Sequence, residues 1–204
     1  MGDNVGREIE LTVDRIAHGG IAVGRLDGRV VFVSDAIPGE TVRARVSDDR
    51  KKSFWRADTI AVLEASEHRR EHVWPAAALD RDPRSRVGGA EFGHIALAHQ
   101  RELKRQVLVE SLQRFAGLDA DGLSGRASAE GSAEGAAEGS AGGSGGDSAR
   151  LVVEALPGDD AANGLGWRTR IRLHVDPQGR LGPMASRSHT VIPVTDAPLA
   201  TPAV

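Results

Sequence analysis

The chain has 204 residues, 40% of them apolar and 27% charged, a balance that specifies a folded globular protein of one medium domain or two small ones. Aromatic residues make up 3%, which argues against a large stacking surface for single-stranded bases, and the absence of cysteine excludes disulfides, thiolate catalysis and thiolate-held zinc or iron–sulfur groups. The formal charge of -3 is unevenly spread: residues 119–149 hold one Arg against six acids, so the remainder is near neutral and any nucleic-acid contact has to come from a local patch.

The N-terminus, MGDNVGREIELTV, has no apolar signal core, and no stretch approaches the roughly 18 apolar residues of a membrane span. The expectation is a cytoplasmic protein with no membrane partner. Residues 8–63 read as short strands. EIELTVD alternates, with Ile9, Leu11 and Val13 on one face. Gly19-Gly20 and Asp27-Gly28 are turn signals, the second suited to a tight hairpin. Val31 and Val33 bracket Phe32, Val42, Ala44 and Val46 alternate with Arg43 and Arg45, and Trp55 to Leu63 supplies a last strand. About five strands joined by hairpin turns in about 60 residues predict a small closed barrel.

Residues 66–92 are irregular and polar. Ile95 to Phe115 predicts a helix whose stripe is Leu103, Val107, Leu108, Leu112 and Phe115, with Gly117 as its C-terminal cap. Residues 119–149 are low in complexity: SAEG at 128–131 repeats at 132–135, and AAEG follows at 136–139, as expected of a disordered linker. After it, LVVEAL, WRTRIRLHV and SHTVIPV predict strands, with DPQG at 176–179 as a turn.

Two groups of cations suit phosphates. In Trp167–Val175 the alternation predicts Arg168, Arg170, Arg172 and His174 on one strand face, with Thr169, Ile171, Leu173 and Val175 buried on the other. Arg grips phosphate in a bidentate fork, although a solvated face paired with carboxylates would read the same. Arg50-Lys51-Lys52 precedes Trp55 in a loop, and Arg43 and Arg45 extend the basic character of the barrel. The spacing of His68 and His72 would fit a metal on a helix face, but an exposed charged turn explains it more simply, and His94 and His99 read as capping or packing residues. Ser188 and His189 are adjacent and would point to opposite faces of a strand, so they do not form a nucleophile–base pair. No phosphate-binding loop and no dinucleotide fingerprint is present.

The phrase AHGGIAVGRLDGRVVFVSDAIPGETVRARV, with its Gly-rich hairpin, Val-Phe-Val strand and Ile-Pro-Gly-Glu turn, closely resembles a TRAM domain, a small RNA-binding barrel. The later VGGAEFGHIALAHQRELKRQ and WRTRIRLHVDPQGRLGPMASRSHTVIPVTDAPLA resemble the cluster-binding loop and central domain of the RNA uridine C5-methyltransferases, which make 5-methyluridine in ribosomal or transfer RNA. The resemblance covers nearly all of the chain outside the linker. It implies a mainly β fold with one long helix: an OB-like five-stranded TRAM barrel over 1–67, then a small α+β central domain split into 68–118 and 150–204 by the linker.

The resemblance also implies what this chain lacks. The family's four iron–sulfur cysteines correspond to Trp74, Val87, Ala90 and Ala197, so no cluster is expected. The family's S-adenosylmethionine domain and catalytic cysteine have no counterpart in the 204 residues, so this chain alone is not expected to methylate. The leading expectation is a monomeric RNA-recognition portion that binds ribosomal or transfer RNA through Arg168, Arg170, Arg172, Arg43, Arg45, Arg50, Lys51 and Lys52. The rivals are a stand-alone TRAM-type RNA-binding protein and a protein-interaction module.

Overall fold

The computed structural model describes residues 3–118 and 151–203. The chain divides into two compact units, one of residues 1–100 with 155–204 and the other of residues 101–154. Among the described residues no helix is long and apolar enough to cross a membrane.

The first unit opens with five strands: β1 Glu8–Ala17, β2 Ile21–Leu26, β3 Arg29–Ser34, β4 Thr41–Asp48 and β5 Phe54–Glu64. They close into a barrel in the order β1-β2-β3-β5-β4, in which β3 and β5 run parallel and the other pairs antiparallel. The predicted barrel is therefore present. Its core follows the alternation: Ile9, Leu11 and Val13 from β1, Val31 and Val33 from β3, Val42, Ala44 and Val46 from β4, and Trp55 and Ala57 from β5 are all buried. A register shift between Val13 and Arg15 breaks the period in β1, and Ile16 rather than Arg15 becomes the next buried residue. Such a bulge bends a strand and increases its twist, as barrel closure requires. Asp27 and Gly28 both adopt positive φ, at 48° and 79°, the paired left-handed conformation of the tight hairpin their sequence predicts.

The Ile37-Pro38-Gly39-Glu40 turn carries a buried acid. Glu40 is 0% exposed, and its carboxylate accepts from the backbone N–H of Ile37 at 2.9 Å and of Ser66 at 3.2 Å, and from Arg69 Nε at 2.6 Å. Arg69 Nη2 reaches the second oxygen at 2.7 Å and also donates to the Asp35 carbonyl. Arg86 is likewise buried, donating to the Asp35 carboxylate and to the carbonyls of Thr59, Leu79 and Arg81 at 2.8–2.9 Å. These two arginines fasten the irregular segment after β5 to the barrel.

Two short 3-10 turns, Pro75–Ala77 and Pro83–Ser85, precede helix α1, Leu97–Ala116. Its end matches the predicted cap: Gly117 takes φ 63°, its N–H donates to Gln113, and the Leu118 N–H donates to Leu112. Of the predicted stripe only Leu103 is buried, while Leu108 and Phe115 are 41% and 81% exposed.

The region after residue 150 departs from its predicted strands. Among the described residues there, only β6 His174–Val175 and β7 Leu181–Gly182 form a ladder, around the predicted turn. That turn is held by the Asp176 carboxylate, which accepts from the N–H groups of Gln178 and Arg180 and from Arg180 Nε. LVVEAL forms no strand, and SHTVIPV contributes a single bridge from Val191 to Met184. The physical reason is pairing. Alternation sorts side chains only where a neighbouring strand holds the backbone extended, and the Arg168 backbone instead pairs with the chain at Leu199 and Thr201. The face expected to be buried is open, with Leu173 and Val175 40% and 62% exposed.

Candidate nucleic-acid interface

The predicted phosphate-binding residues fall into three settings. Arg43 and Arg45 stand on the outer face of β4 directly opposite Glu10 and Glu8 of β1, and form ion pairs with them at 2.7 and 3.3 Å. Arg45 also lies 3.7 Å from Asp82. Their charge is matched by carboxylates along the strand pair. Arg50, Lys51 and Lys52 sit exposed in the loop between β4 and β5. Arg50 folds back on Asp48 at 2.6 Å, and its side-chain and backbone hydrogen bonds hold the Asp48 carboxyl well below the usual carboxylate range.

The third setting corrects the predicted arginine face. Arg168, Arg170 and Arg172 do not share one side of a strand, because residues 167–173 form none. Arg168 is drawn inward: its Nη2 donates to the Gly89 carbonyl at 2.5 Å, and its guanidinium lies 4.9 Å from the Trp167 ring. Arg170 and Arg172 remain exposed.

Composition understates one feature of the barrel. Phe32 and Phe54 point outward from β3 and β5, meet edge to face with centroids 5.2 Å apart, and lie 5.5 and 5.7 Å from the Arg56 guanidinium. Asp48, Arg50, Lys51, Phe54 and Arg56 line a depression beside them. The signal was available in the strand period, since Phe32 lies between the buried Val31 and Val33, and Arg56 between the buried Trp55 and Ala57.

The Val87-Gly88-Gly89-Ala90 loop packs a second core. Trp74, Ala77, Val87, Ala90, Ala185 and Ile192 form one buried apolar cluster, edged by Ala76, Val194 and Leu199. Val87 bridges to Ala185, and the Gly88 N–H donates to the Met184 carbonyl at 3.1 Å. A side chain at Gly88 would place its Cβ 3.0 Å from the Ser186 Cα, which explains the small residue there. Trp74 Nε1 donates to Asp196 at 3.0 Å, beside the half-buried Ala197.

A TRAM domain model matches residues 3–54. An uncharacterized RNA methyltransferase of Streptomyces avermitilis is 34% identical over 98% of this chain and 40% of its own length. One of Bifidobacterium longum is 31% identical over 95% and 38%. The 23S rRNA (uracil(1939)-C(5))-methyltransferase RlmD of Halomonas elongata is 32% identical over 96% and 33%. The chain is a TRAM-domain relative of RNA methyltransferases. It spans between a third and two fifths of the length of these relatives.

Three of the four positions that the sequence resemblance sets against iron–sulfur cysteines, Trp74, Val87 and Ala90, lie together in the second core. Their side chains offer no ligand atom, so the residues present do not fit a cluster. Among the described residues no group of three or more His, Asp, Glu or Cys is placed to hold a metal.

The histidines next to the TRAM barrel are structural. His72, read from sequence as part of an exposed turn, is half-buried: Nδ1 accepts from the Trp74 N–H at 3.0 Å, which leaves Nε2–H to donate to the Ala90 carbonyl at 3.1 Å. This neutral tautomer clamps two of the core positions, and burial lowers the pKa of the ring. His68 stacks on His99 with centroids 3.8 Å apart. His94 is 5% exposed, and among the described residues neither ring nitrogen reaches a hydrogen-bond partner, although the Ala36 backbone favours its charged form weakly. Burial dominates and Arg69, His72 and Arg70 add repulsion, pushing His94 down to about 3.

The unfolded chain therefore binds more protons than the folded one as pH falls from about 6.5 toward 3, and stability is lost in that window. Between pH 7.5 and 5, His94 should cost about 2 kcal/mol of unfolding free energy. Urea titrations across that range check this, and His94→Gln should reduce the slope.

Proposed function

We propose that this chain is the RNA-recognition portion of an RNA (uracil-C5)-methyltransferase that acts on ribosomal or transfer RNA. The observation that carries the reading is the alignment of nearly the whole chain, TRAM domain included, with RNA methyltransferases. In this reading the barrel and the exposed cations hold the RNA backbone and present a uridine for methylation. Methyl transfer, with S-adenosylmethionine as donor, is assigned to the part of the relatives outside the match. The phosphate contacts are assigned first to Arg50, Lys51 and Lys52, then to Arg170 and Arg172. Arg43, Arg45 and Arg50 would each have to exchange a carboxylate for a phosphate, a small cost for exposed pairs.

The purified chain should bind single-stranded RNA at low salt, with affinity falling linearly in log–log form between about 50 and 200 mM salt. Replacing Arg50, Lys51 and Lys52 together with alanine should flatten the slope by about 2, at ~0.7 per phosphate contact. Filter binding measures both. No RNA bound at the lower salt would overturn the reading.

A further inference from the structure

The geometry points to a seat for one unpaired RNA base on the outer face of the β3–β5 pair, formed by Phe32, Phe54 and Arg56, with Arg50 and Lys51 on the adjoining phosphate. The inference rests on the RNA-binding reading above and narrows it to a site and a ligand form.

The strand period builds the seat. In the parallel β3–β5 register Phe32 pairs with Arg56 and Val30 with Phe54, so the two rings and the guanidinium occupy neighbouring positions on one face. Both rings are half-buried, each braced by the other and by the guanidinium, and Phe54 also lines the depression together with Asp48, Arg50, Lys51 and Arg56. A ring and a guanidinium plane are the two side-chain surfaces on which a nucleobase stacks, and a stack of this kind is indifferent to base identity. Paired bases in a helix have both faces occupied, so the seat selects a base that is unstacked or splayed out.

The charge around the seat agrees. Asp48 lines the depression and Asp58 lies two positions beyond Arg56 on β5. Asp48 is already bonded to Arg50, and Asp58 accepts from Ser34 at 2.7 Å and Arg187 at 3.1 Å. Lys51, Lys52 and Arg56 then leave the rim net positive, which suits the phosphate that flanks any seated base. An aromatic pair of purely structural value would need neither the cationic rim nor the depression.

The test uses the full 204-residue chain and a single-stranded RNA oligonucleotide carrying one 2-aminopurine. Binding should change the 2-aminopurine fluorescence, as stacking on an aromatic ring does, and the same sequence held in a duplex should give no such change. Phe54→Leu and Phe32→Leu keep the strand apolar and should each weaken single-strand binding by about ten-fold, with the salt slope unchanged. Arg56→Met should do the same with a slightly flatter slope. If the wild-type chain binds the oligonucleotide with unaltered fluorescence, or if both Leu variants, folded by circular dichroism, bind within two-fold of wild type, the seat is wrong while RNA binding stands. Failure of the wild-type chain to bind any RNA removes the broader reading as well. Equally strong competition by polyglutamate would reduce the site to a cationic patch and also overturn the inference.

Discussion

Glu40→Ala should lower the unfolding free energy by about 3–5 kcal/mol, among the largest effects of any single substitution in the barrel. The carboxylate is 0% exposed and satisfies two backbone N–H groups and the Arg69 guanidinium at once. Removing it leaves Arg69, itself only 15% exposed at the side chain, as a buried cation without its counter-charge. It also leaves the Ile37 and Ser66 N–H groups without an acceptor, each at a further cost of about 1–3 kcal/mol where water does not replace it. Urea unfolding followed by far-ultraviolet circular dichroism measures the loss. Glu40→Gln keeps an acceptor but not the charge, so it should fall between wild type and alanine. A loss under about 1 kcal/mol for the alanine variant would mean that the turn holds without its acid.

Trp74→Ala should cost a comparable ~3–5 kcal/mol, for a different reason. Trp74 is the largest side chain of the second core and touches segments from both ends of the first unit. Its removal opens a cavity among small residues, Ala77, Ala90 and Ala185, that have little freedom to close it. Trp74→Phe keeps most of the apolar volume and gives up the hydrogen bond to Asp196, so it should cost about 1 kcal/mol beyond the lost contact area. The difference separates packing from hydrogen bonding. Limited proteolysis adds position: the alanine variant should become cleavable between residues 155 and 200 before the barrel does. Equal stability of the alanine variant and wild type would show that the cluster is filled without the indole.

The barrel was legible because three of its four strand connections are short hairpins and most of its core residues keep a period of two, although the crossover from β3 to β4 and the bulge in β1 were not. The turn chemistry of Asp27-Gly28 and the cap at Gly117 were legible for the same local reason. The burial of Glu40 was not, because an acid in a turn is exposed unless a distant Arg69 reaches it, and the sequence does not display that meeting. Phe32 and Phe54 were legible by direction but discounted by composition: a few aromatic rings suffice when two of them meet on one face.

The arginine strand failed because alternation in WRTRIRLHV describes a face that exists only if a partner strand is present. Arg168 was recruited by a carbonyl 79 positions away in the chain. The convergence of Trp74, Val87 and Ala90 came into view through family resemblance alone, since three apolar residues scattered over a polar segment carry no periodic signal. His72 was misread because its role is to clamp backbone on both ring nitrogens, an arrangement that residue spacing does not encode.

The hydrogen bond from Trp74 to Asp196 joins residues 122 positions apart. That separation has a consequence for the order of assembly. The barrel closes with contacts inside its first 64 residues, so it can form while the rest of the chain is still being synthesised. The second core cannot close until translation has passed Asp196. Until then Trp74 and Val87 lie near the finished barrel, to which Arg86 is bonded, without Ala185 and Ile192 to complete their cover. The chain thus has a long interval in which one half is native and the other waits, and in that interval its exposed apolar residues are most open to chaperones and to misassociation.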